Sequence, residues 1–267
     1  MLSDSAPAAR EGSDRTAMTA VSCSIRVRAV SVVVPVCNEA DNIEPLALEV
    51  RDALRRLDAF ELIFVDDGST DGTAAVARAV RDQAVPEVRL LRHGRRSGQS
   101  AAVATGVQAA RYPWIATLDG DCQNDPADIP RLIEYLETAA TAELKLVIGN
   151  RALRQDSWLR RISSRVANAV RGRLLRDHTP DTGCGLKVFE RATFLELPRF
   201  DHMHRFLPAL FQRAGTSVHS VPVSHRPRTR GLSKYGLFDR LWVGIADLVG
   251  VMWLIRRTTL TGGVREE

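Results

Sequence analysis

Three apolar runs in this chain each stop at a polar, acid-bearing cluster, and that pattern restricts the fold more than any other feature. Ser31–Val36 (SVVVPV) runs into Cys37-Asn38-Glu39, and Leu62–Val65 runs into Asp66-Asp67-Gly68-Ser69-Thr70-Asp71-Gly72-Thr73. Trp114–Leu118 runs into Asp119-Gly120-Asp121-Cys122-Gln123. Short apolar runs rich in β-branched residues are the signature of strands buried on both faces. Between them lie helical patterns. Ile43, Leu46, Ala47, Val50, Leu54 and Leu57 follow Asp41-x-x-Glu44, a second helix covers roughly Ala74–Asp82, and Gly98–Ala110 is a small-residue helix suited to close packing on a sheet. Val88–Leu91 and Leu144–Ile148 read as further strands, and Pro126 opens a helix with Ile129, Leu132, Ile133 and Leu136 on one face. Strands alternating with helices predict an α/β domain, a mainly parallel sheet flanked by helices. Ligands bind such sheets beyond the carboxyl ends of the strands, where the three polar clusters fall.

The second half is less regular. Ser157–Arg176 reads as a basic helix, Leu186–Phe189 as a short strand, and His204–Ala214 as a helix that Pro208 kinks or starts. Val218–Val223 reads as a late strand and Tyr235–Arg257 as a long apolar helix. A length of 267 residues suits one large domain or one domain with an appendage. The expected division is a disordered tail over 1–27, a main domain over 28–235 and a C-terminal helix over 236–267. The first 24 residues have no apolar core of the kind a signal peptide needs. Cys23, Cys37, Cys122 and Cys184 form no C-x-x-C pair, so free thiols in a reducing cytoplasm are expected.

Asp119 and Asp121 sit two residues apart just past a strand end, with a glycine that allows close backbone approach. Two carboxylates so placed can point at one divalent cation, and hard oxygen ligands suit Mg²⁺ or Mn²⁺. A surface turn carrying two solvated acids would read the same way. An EF-hand loop is excluded, because its sixth residue would be Asn124 and its twelfth Pro130. In the pair Asp66-Asp67, one carboxylate can accept from a nucleobase N–H while the other satisfies loop amides; a turn that caps the next helix is the simpler alternative.

The net charge is +5, and the excess is uneven. Arg151, Arg154, Arg160, Arg161, Arg165, Arg171, Arg173 and Arg176 crowd one segment, and Arg226, Arg228 and Arg230 another. Such patches attract phosphates. No aromatic stacking motif accompanies them, which disfavours nucleic acid as a partner.

Six segments in order carry a resemblance. Val33-Val34-Pro35-Val36-Cys37-Asn38-Glu39, the Val65–Thr73 cluster and Asp119–Gln123 resemble the family 2 glycosyltransferases of GT-A fold. Gly149-Asn150-Arg151, Asp181-Thr182-Gly183-Cys184-Gly185-Leu186-Lys187 and Arg228-x-x-Gly231-x-Ser233-Lys234-Tyr235 resemble the polyprenyl- or dolichyl-phosphate sugar synthases within that family. The likeness spans about residues 28–240. It implies transfer of a sugar from a UDP- or GDP-sugar to a polyprenyl phosphate, with inversion at the anomeric carbon, for cell-envelope glycan or lipopolysaccharide modification. It implies nucleotide-sugar contacts at Pro35, Cys37, Glu39, Val65, Asp67, Gly120, Arg228 and Lys234, and a metal held by Asp119, Asp121 and Gln123. Asp119, Asp121, Arg151 and Asp181 would serve catalysis, and Arg151, Arg165 and Ser233 the acceptor phosphate. Position 37 is Cys where the family commonly has Tyr, and position 184 is Cys where Ser is common.

A lipid phosphate is already an anion at neutral pH, so positioning and charge screening matter more than a general base. None of the six His sits in an evident acid–base pair in the sequence. Asp181 can orient the acceptor or a sugar hydroxyl, or cap a turn. A family 2 transferase acting on a saccharide would need a carboxylate base instead, and a non-catalytic nucleotide-sugar binding module is a third reading. Leu241–Ile255 is 15 residues with one Asp, short of the roughly 20 that span a bilayer. Its flanking Arg240, Arg256 and Arg257 and its Trp242 and Trp253 fit peripheral attachment to the cytoplasmic membrane face, where a small membrane-protein partner is a further expectation. A helix packed on its own core and a tilted span are the alternatives.

Overall fold

The computed structural model describes residues 25–139, 141–151, 171–177, 179–227 and 237–257. Strand β1 (Ala29–Val36), helix α1 (Ala40–Leu54), β2 (Ala59–Asp66), α2 (Thr73–Gln83), β3 (Val88–Arg92), α3 (Gln99–Ala109) and β4 (Trp114–Thr117) alternate as the sequence predicts. A 3-10 turn at Pro126–Asp128 leads into α4 (Ile129–Thr138), followed by β5 (Leu144–Asn150). The second half holds β6 (Lys187–Glu190), α5 (Arg191–Glu196), α6 (Leu207–Arg213), β7 (Ser217–Pro222) and α7 (Leu237–Arg256).

The seven strands form one sheet in the order β3-β2-β1-β4-β6-β5-β7. All pairings are parallel except those of β6, which runs antiparallel between β4 and β5. This exception matters for the site. The carboxyl ends of β1, β2, β4, β5 and β7 share one edge of the sheet, and the amino end of β6 opens on that same edge. Lys187 pairs there with Thr117 and Ile148. The chain segment entering β6 is thereby brought beside the segments leaving its neighbours.

Both faces of the sheet are covered, which is why β1 reads as an unbroken apolar run. Val30, Val32, Val34 and Val36 face one core with residues of α1, α2 and α4, while Val33 faces a second with α3, α5, α6 and α7. The small-residue helix α3 lies close to the sheet, and a Cβ at Gly106 would overlap Val33 and crowd Val65. Helix α1 begins at Ala40, one residue before the expected Asp41, because its first amides are capped from across the sheet edge. Glu39 N donates to Thr73 Oγ1 at 3.0 Å and Ala40 N to Asp71 Oδ2 at 3.4 Å. Pro208 stands in the first turn of α6 and starts that helix rather than kinking it. Helix α5 was not anticipated. Six residues directly after a strand give too short a period to read.

Among the described residues no helix is long and apolar enough to cross a membrane. Helix α7 lays Leu248, Val251, Met252, Leu254 and Ile255 on the second core. It leaves Ile245, Val249 and Trp253 outward at one-turn-plus spacing, with 45, 61 and 62% of each exposed.

Candidate active site

The site forms where the loops after β1, β2, β4 and β5 meet the segment before β6. The loop after β4 carries Asp119, Gly120, Asp121 and Gln123. Gly120 is needed for packing: a Cβ there would lie 2.7 Å from Val36 Cγ1 and 3.1 Å from Pro35 O. The glycine between the two acids therefore answers to β1, in addition to any ligand. Asp119 N donates to Asn124 Oδ1 at 3.4 Å and Gln123 N to Asp121 Oδ1 at 3.2 Å, which closes the loop on itself.

The carboxylate of Asp119 is flanked on two sides. Gly185 lies so close that any Cβ would overlap it. Gln99, the first residue of α3, donates its side-chain amide to Asp119 Oδ1 at 2.9 Å. Burial first, and the charge of Asp121 second, push the Asp119 carboxyl above its usual range; Lys187, Arg151 and the Gln99 bond pull the other way. Lys187, buried at the start of β6, donates from Nζ to the carbonyl of Cys184. Its own burial lowers its ammonium pKa, against the attraction of Cys184, Asp119 and Asp181. The sequence marked Lys187 only as part of a motif; its depth comes from pairing with both Thr117 and Ile148.

Arg151, directly after β5, and Asp181, in the segment before β6, form a two-bond fork. Arg151 Nε donates to Asp181 Oδ2 at 2.7 Å and Nη2 to Oδ1 at 2.8 Å. The main-chain N–H of Arg151 also donates to Oδ2 at 3.3 Å. Burial lowers the Arg151 pKa, but the hydrogen bonds and charge of Asp181 outweigh it and the net direction is upward. Two residues that the resemblance assigns to catalysis thus form one unit.

Asp66 and Asp67 both bond the fold. Asp66 Oδ1 accepts from Ser69 N at 2.8 Å, and Arg92 Nε stands 3.1 Å from its Oδ2. Asp67 Oδ1 accepts from Ser97 N at 2.7 Å and lies 2.8 Å from His93 Nδ1, while Oδ2 accepts from Gly98 N at 2.8 Å. A carboxylate has about four acceptor positions, and these contacts take three of them, leaving one on Oδ2 unused. Burial raises its pKa, but His93 and the two amides outweigh that and hold it below the usual carboxylate range. His93 also lies 2.9 Å from Thr105 Oγ1 through Nε2. The sequence gives no evident histidine pair, yet His93 pairs with Asp67 and His202 Nδ1 lies 3.0 Å from Asp247 Oδ2. These contacts cross 26 and 45 positions of sequence and have no local signature.

Pro35, Cys37 and Glu39 line the end of β1 and are partly exposed; Glu39 Oε2 accepts from Asn42 Nδ2 at 2.7 Å. Val65 is fully buried inside the sheet, paired with Pro35 of β1 and Leu91 of β3 and packed near Gly106, so the nucleotide contact expected there is not available to it. Gln123 Nε2 donates to Arg226 O at 3.4 Å, and Arg226 N donates back to Gln123 O at 2.9 Å. These bonds hold residues 224–227 against the acidic loop. Arg165, Arg228, Ser233 and Lys234, and most of the expected basic helix, lie outside the described residues.

Besides Arg151, two members of the expected phosphate-attracting patches are held by carboxylates of the fold. Arg226 pairs with Glu49 at 2.7 Å and Asp125 at 2.9 Å, and Arg171 pairs with the buried Asp177 at 3.2 Å and donates to Thr179 O. Among the described residues no three or more His, Cys, Asp and Glu side chains converge as a metal cluster. Two carboxylates and one amide are what the loop after β4 offers, a sparse set of the kind that Mg²⁺ shares with substrate phosphates.

Residues 31–197 match the family model described as Glycosyl transferase family 2. The chain is 38% identical over 231 residues to a dodecaprenyl-phosphate galacturonate synthase of Rhizobium johnstonii, covering 85% of this chain and 67% of that protein. It is 33% identical over 214 residues to an undecaprenyl-phosphate 4-deoxy-4-formamido-L-arabinose transferase of Sodalis glossinidius, covering 80% and 64%. The chain thus spans about two thirds of the length of these curated relatives. Its fold is similar to that of glucosyl-3-phosphoglycerate synthase from Mycobacterium tuberculosis, solved with Mn²⁺, UDP and glucosyl-3-phosphoglycerate. That match has TM-score 0.63 and 20% identity, over 88% of this chain and 82% of the other. The same enzyme solved with Mg²⁺ and UDP matches with TM-score 0.63 and 19% identity, over 88% and 82%.

Proposed function

This chain belongs to glycosyl transferase family 2, and we propose that it moves a sugar from a nucleoside diphosphate donor onto the phosphate of a polyprenyl phosphate. The observation that carries the reading is the Asp119 carboxylate, set at the carboxyl end of β4 beside Asp121 and left room only by the missing side chain of Gly185. Asp119, Asp121 and Gln123 would hold Mg²⁺ or Mn²⁺. Two acids of which one is pushed above its usual range by burial and by the other form a site that a divalent cation suits. When bound, such an ion would neutralise the diphosphate as it leaves.

Pro35, Cys37, Glu39 and Asp67 would receive the nucleoside, with the unused acceptor position of Asp67 Oδ2 offered to a base N–H. Gly120, between Asp119 and Asp121, would let the backbone come close to the nucleotide. Arg228 and Lys234, which lie outside the described residues, would add positive charge for the diphosphate; Arg228 is next in sequence to residues 224–227, which are tied to the acidic loop. An acceptor phosphate oxygen attacks C1 of the donor sugar as the bond from C1 to the diphosphate oxygen breaks, which inverts C1 and releases the nucleoside diphosphate. Arg151, Arg165 and Ser233 would hold the acceptor phosphate.

The curated relatives named for dodecaprenyl- and undecaprenyl-phosphate support a lipid acceptor. So does the Arg151–Asp181 fork. Both Asp181 oxygens already accept from a guanidinium, so this carboxylate is poorly set to take a proton from a saccharide alcohol. The outward Ile245, Val249 and Trp253 of α7, with exposed Arg256 and Arg257 at its end, support a peripheral seat on an anionic membrane surface. Incubation with a panel of labelled nucleotide sugars and polyprenyl phosphate, followed by organic extraction, tests the proposal. Label in the organic phase with one donor supports it, and none with any donor defeats it.

A further inference from the structure

Ser97, Gly98 and Gln99 are consecutive, and together they touch both carboxylates on which the donor site depends. The amides of Ser97 and Gly98 donate to Asp67 at 2.7 and 2.8 Å, and the side-chain amide of Gln99 donates to Asp119 Oδ1 at 2.9 Å. The next residue is anchored too: Ser100 Oγ lies 2.7 Å from His204 Nδ1 and accepts from His204 N at 3.3 Å. The main chain of Gln99 is therefore fixed on both sides. Gly98, at φ 96°, supplies the left-handed turn that starts α3 there.

Gln99 is itself exposed. Fixing a long exposed side chain costs rotamer entropy comparable to the net return of a neutral hydrogen bond. The anchored main chain on either side sets the direction from which this side chain reaches Asp119. We infer that Gln99 is a positioning residue of the donor site, orienting the Asp119 carboxylate for its metal while Ser97 and Gly98 hold Asp67. The inference rests on the reading of Asp119 and Asp121 as a metal–diphosphate site. Gly185 bounds the carboxylate on one side and the Gln99 amide fixes one oxygen, so the carboxylate is oriented before any ligand arrives.

Gln99→Met keeps length and helix compatibility but has no N–H to donate. The Mn²⁺ concentration giving half-maximal binding of UDP, or of GDP in a parallel series, is read by titration calorimetry for the unmodified chain, Q99M and Asp119→Asn, with thermal unfolding in the absence of metal as a fold control. Removing an outer partner of a metal ligand is expected to raise that concentration about tenfold. The Q99M thermal midpoint without metal is expected to stay unchanged, and D119N to lose the metal dependence altogether. Identical Mn²⁺ curves for Q99M and the unmodified chain, with D119N impaired, overturn the role of Gln99 alone. Nucleotide binding by the unmodified chain that ignores Mn²⁺ overturns the metal-site reading and this inference with it.

Discussion

Arg151 and Asp181 bind each other through two guanidinium nitrogens and both carboxylate oxygens, at 2.7 and 2.8 Å, with only 10 and 12% of their side chains exposed. They lie 30 positions apart, one after β5 and one before β6. The antiparallel course of β6 is what makes them neighbours.

Breaking this pair should cost stability as well as activity. A buried ion left alone loses its compensation, which typically costs about 3–5 kcal/mol. Arg151→Met and Asp181→Asn are each expected to lower stability by that order, discounted somewhat for the slight exposure. The double variant should cost less than the sum. Urea unfolding of the four proteins measures the coupling, and strictly additive effects would contradict a paired unit.

Glycines 120 and 185 should separate packing from chemistry. Gly120→Ala drives a Cβ toward Val36 and Pro35, so a loss of about 1–3 kcal/mol is expected from overpacking. Gly185→Ala drives it into the Asp119 carboxylate. Its main expected effect is loss of Mn²⁺-dependent nucleotide binding, at least tenfold, by displacement of a metal ligand. Calorimetric titration and thermal unfolding on both variants check the contrast. Unimpaired binding by G185A would mean that Asp119 is not a ligand.

His204 should make the fold acid-sensitive. Burial first, then the charges of Lys187, Arg205 and His202, lower its pKa from 6.5 to about 3. The folded chain therefore keeps this imidazole neutral while the unfolded chain takes up a proton below pH 6.5. The stability it contributes is full above that pH and declines as pH falls toward 3, by at most about 1.4 kcal/mol per unit. His204→Gln should flatten the pH 4–6.5 part of a stability profile relative to the unmodified chain, beneath whatever other groups contribute. An unchanged slope would contradict a neutral buried His204.

Much of the architecture was legible because it is written locally. β1, β2 and β4 are apolar runs that end in polar clusters, and α4 shows its buried Ile129, Leu132, Ile133 and Leu136 at helical spacing. The placement of Asp119 and Asp121 at a strand's carboxyl end follows from the same runs. Less visible was anything set by tertiary pairing. β6 is four residues beginning with a lysine, and its reversed direction has no signal in its letters. Arg226 and Arg171 belong to basic patches in sequence but to salt bridges in space. Gln99 carried one weak clue, a polar residue opening a helix after a glycine at the sheet's active edge.

The account depends most on an acceptor that arrives already charged. The direct measurement is sugar transfer from the donor found active to polyprenyl phosphate, compared with the unphosphorylated polyprenol and with a saccharide, each read as label in the product. The account predicts labelled polyprenyl phosphate sugar, abolished in Asp119→Asn, and no labelled product from the alcohol or the saccharide. Equal transfer to polyprenol, or transfer to the saccharide with none to polyprenyl phosphate, would contradict it.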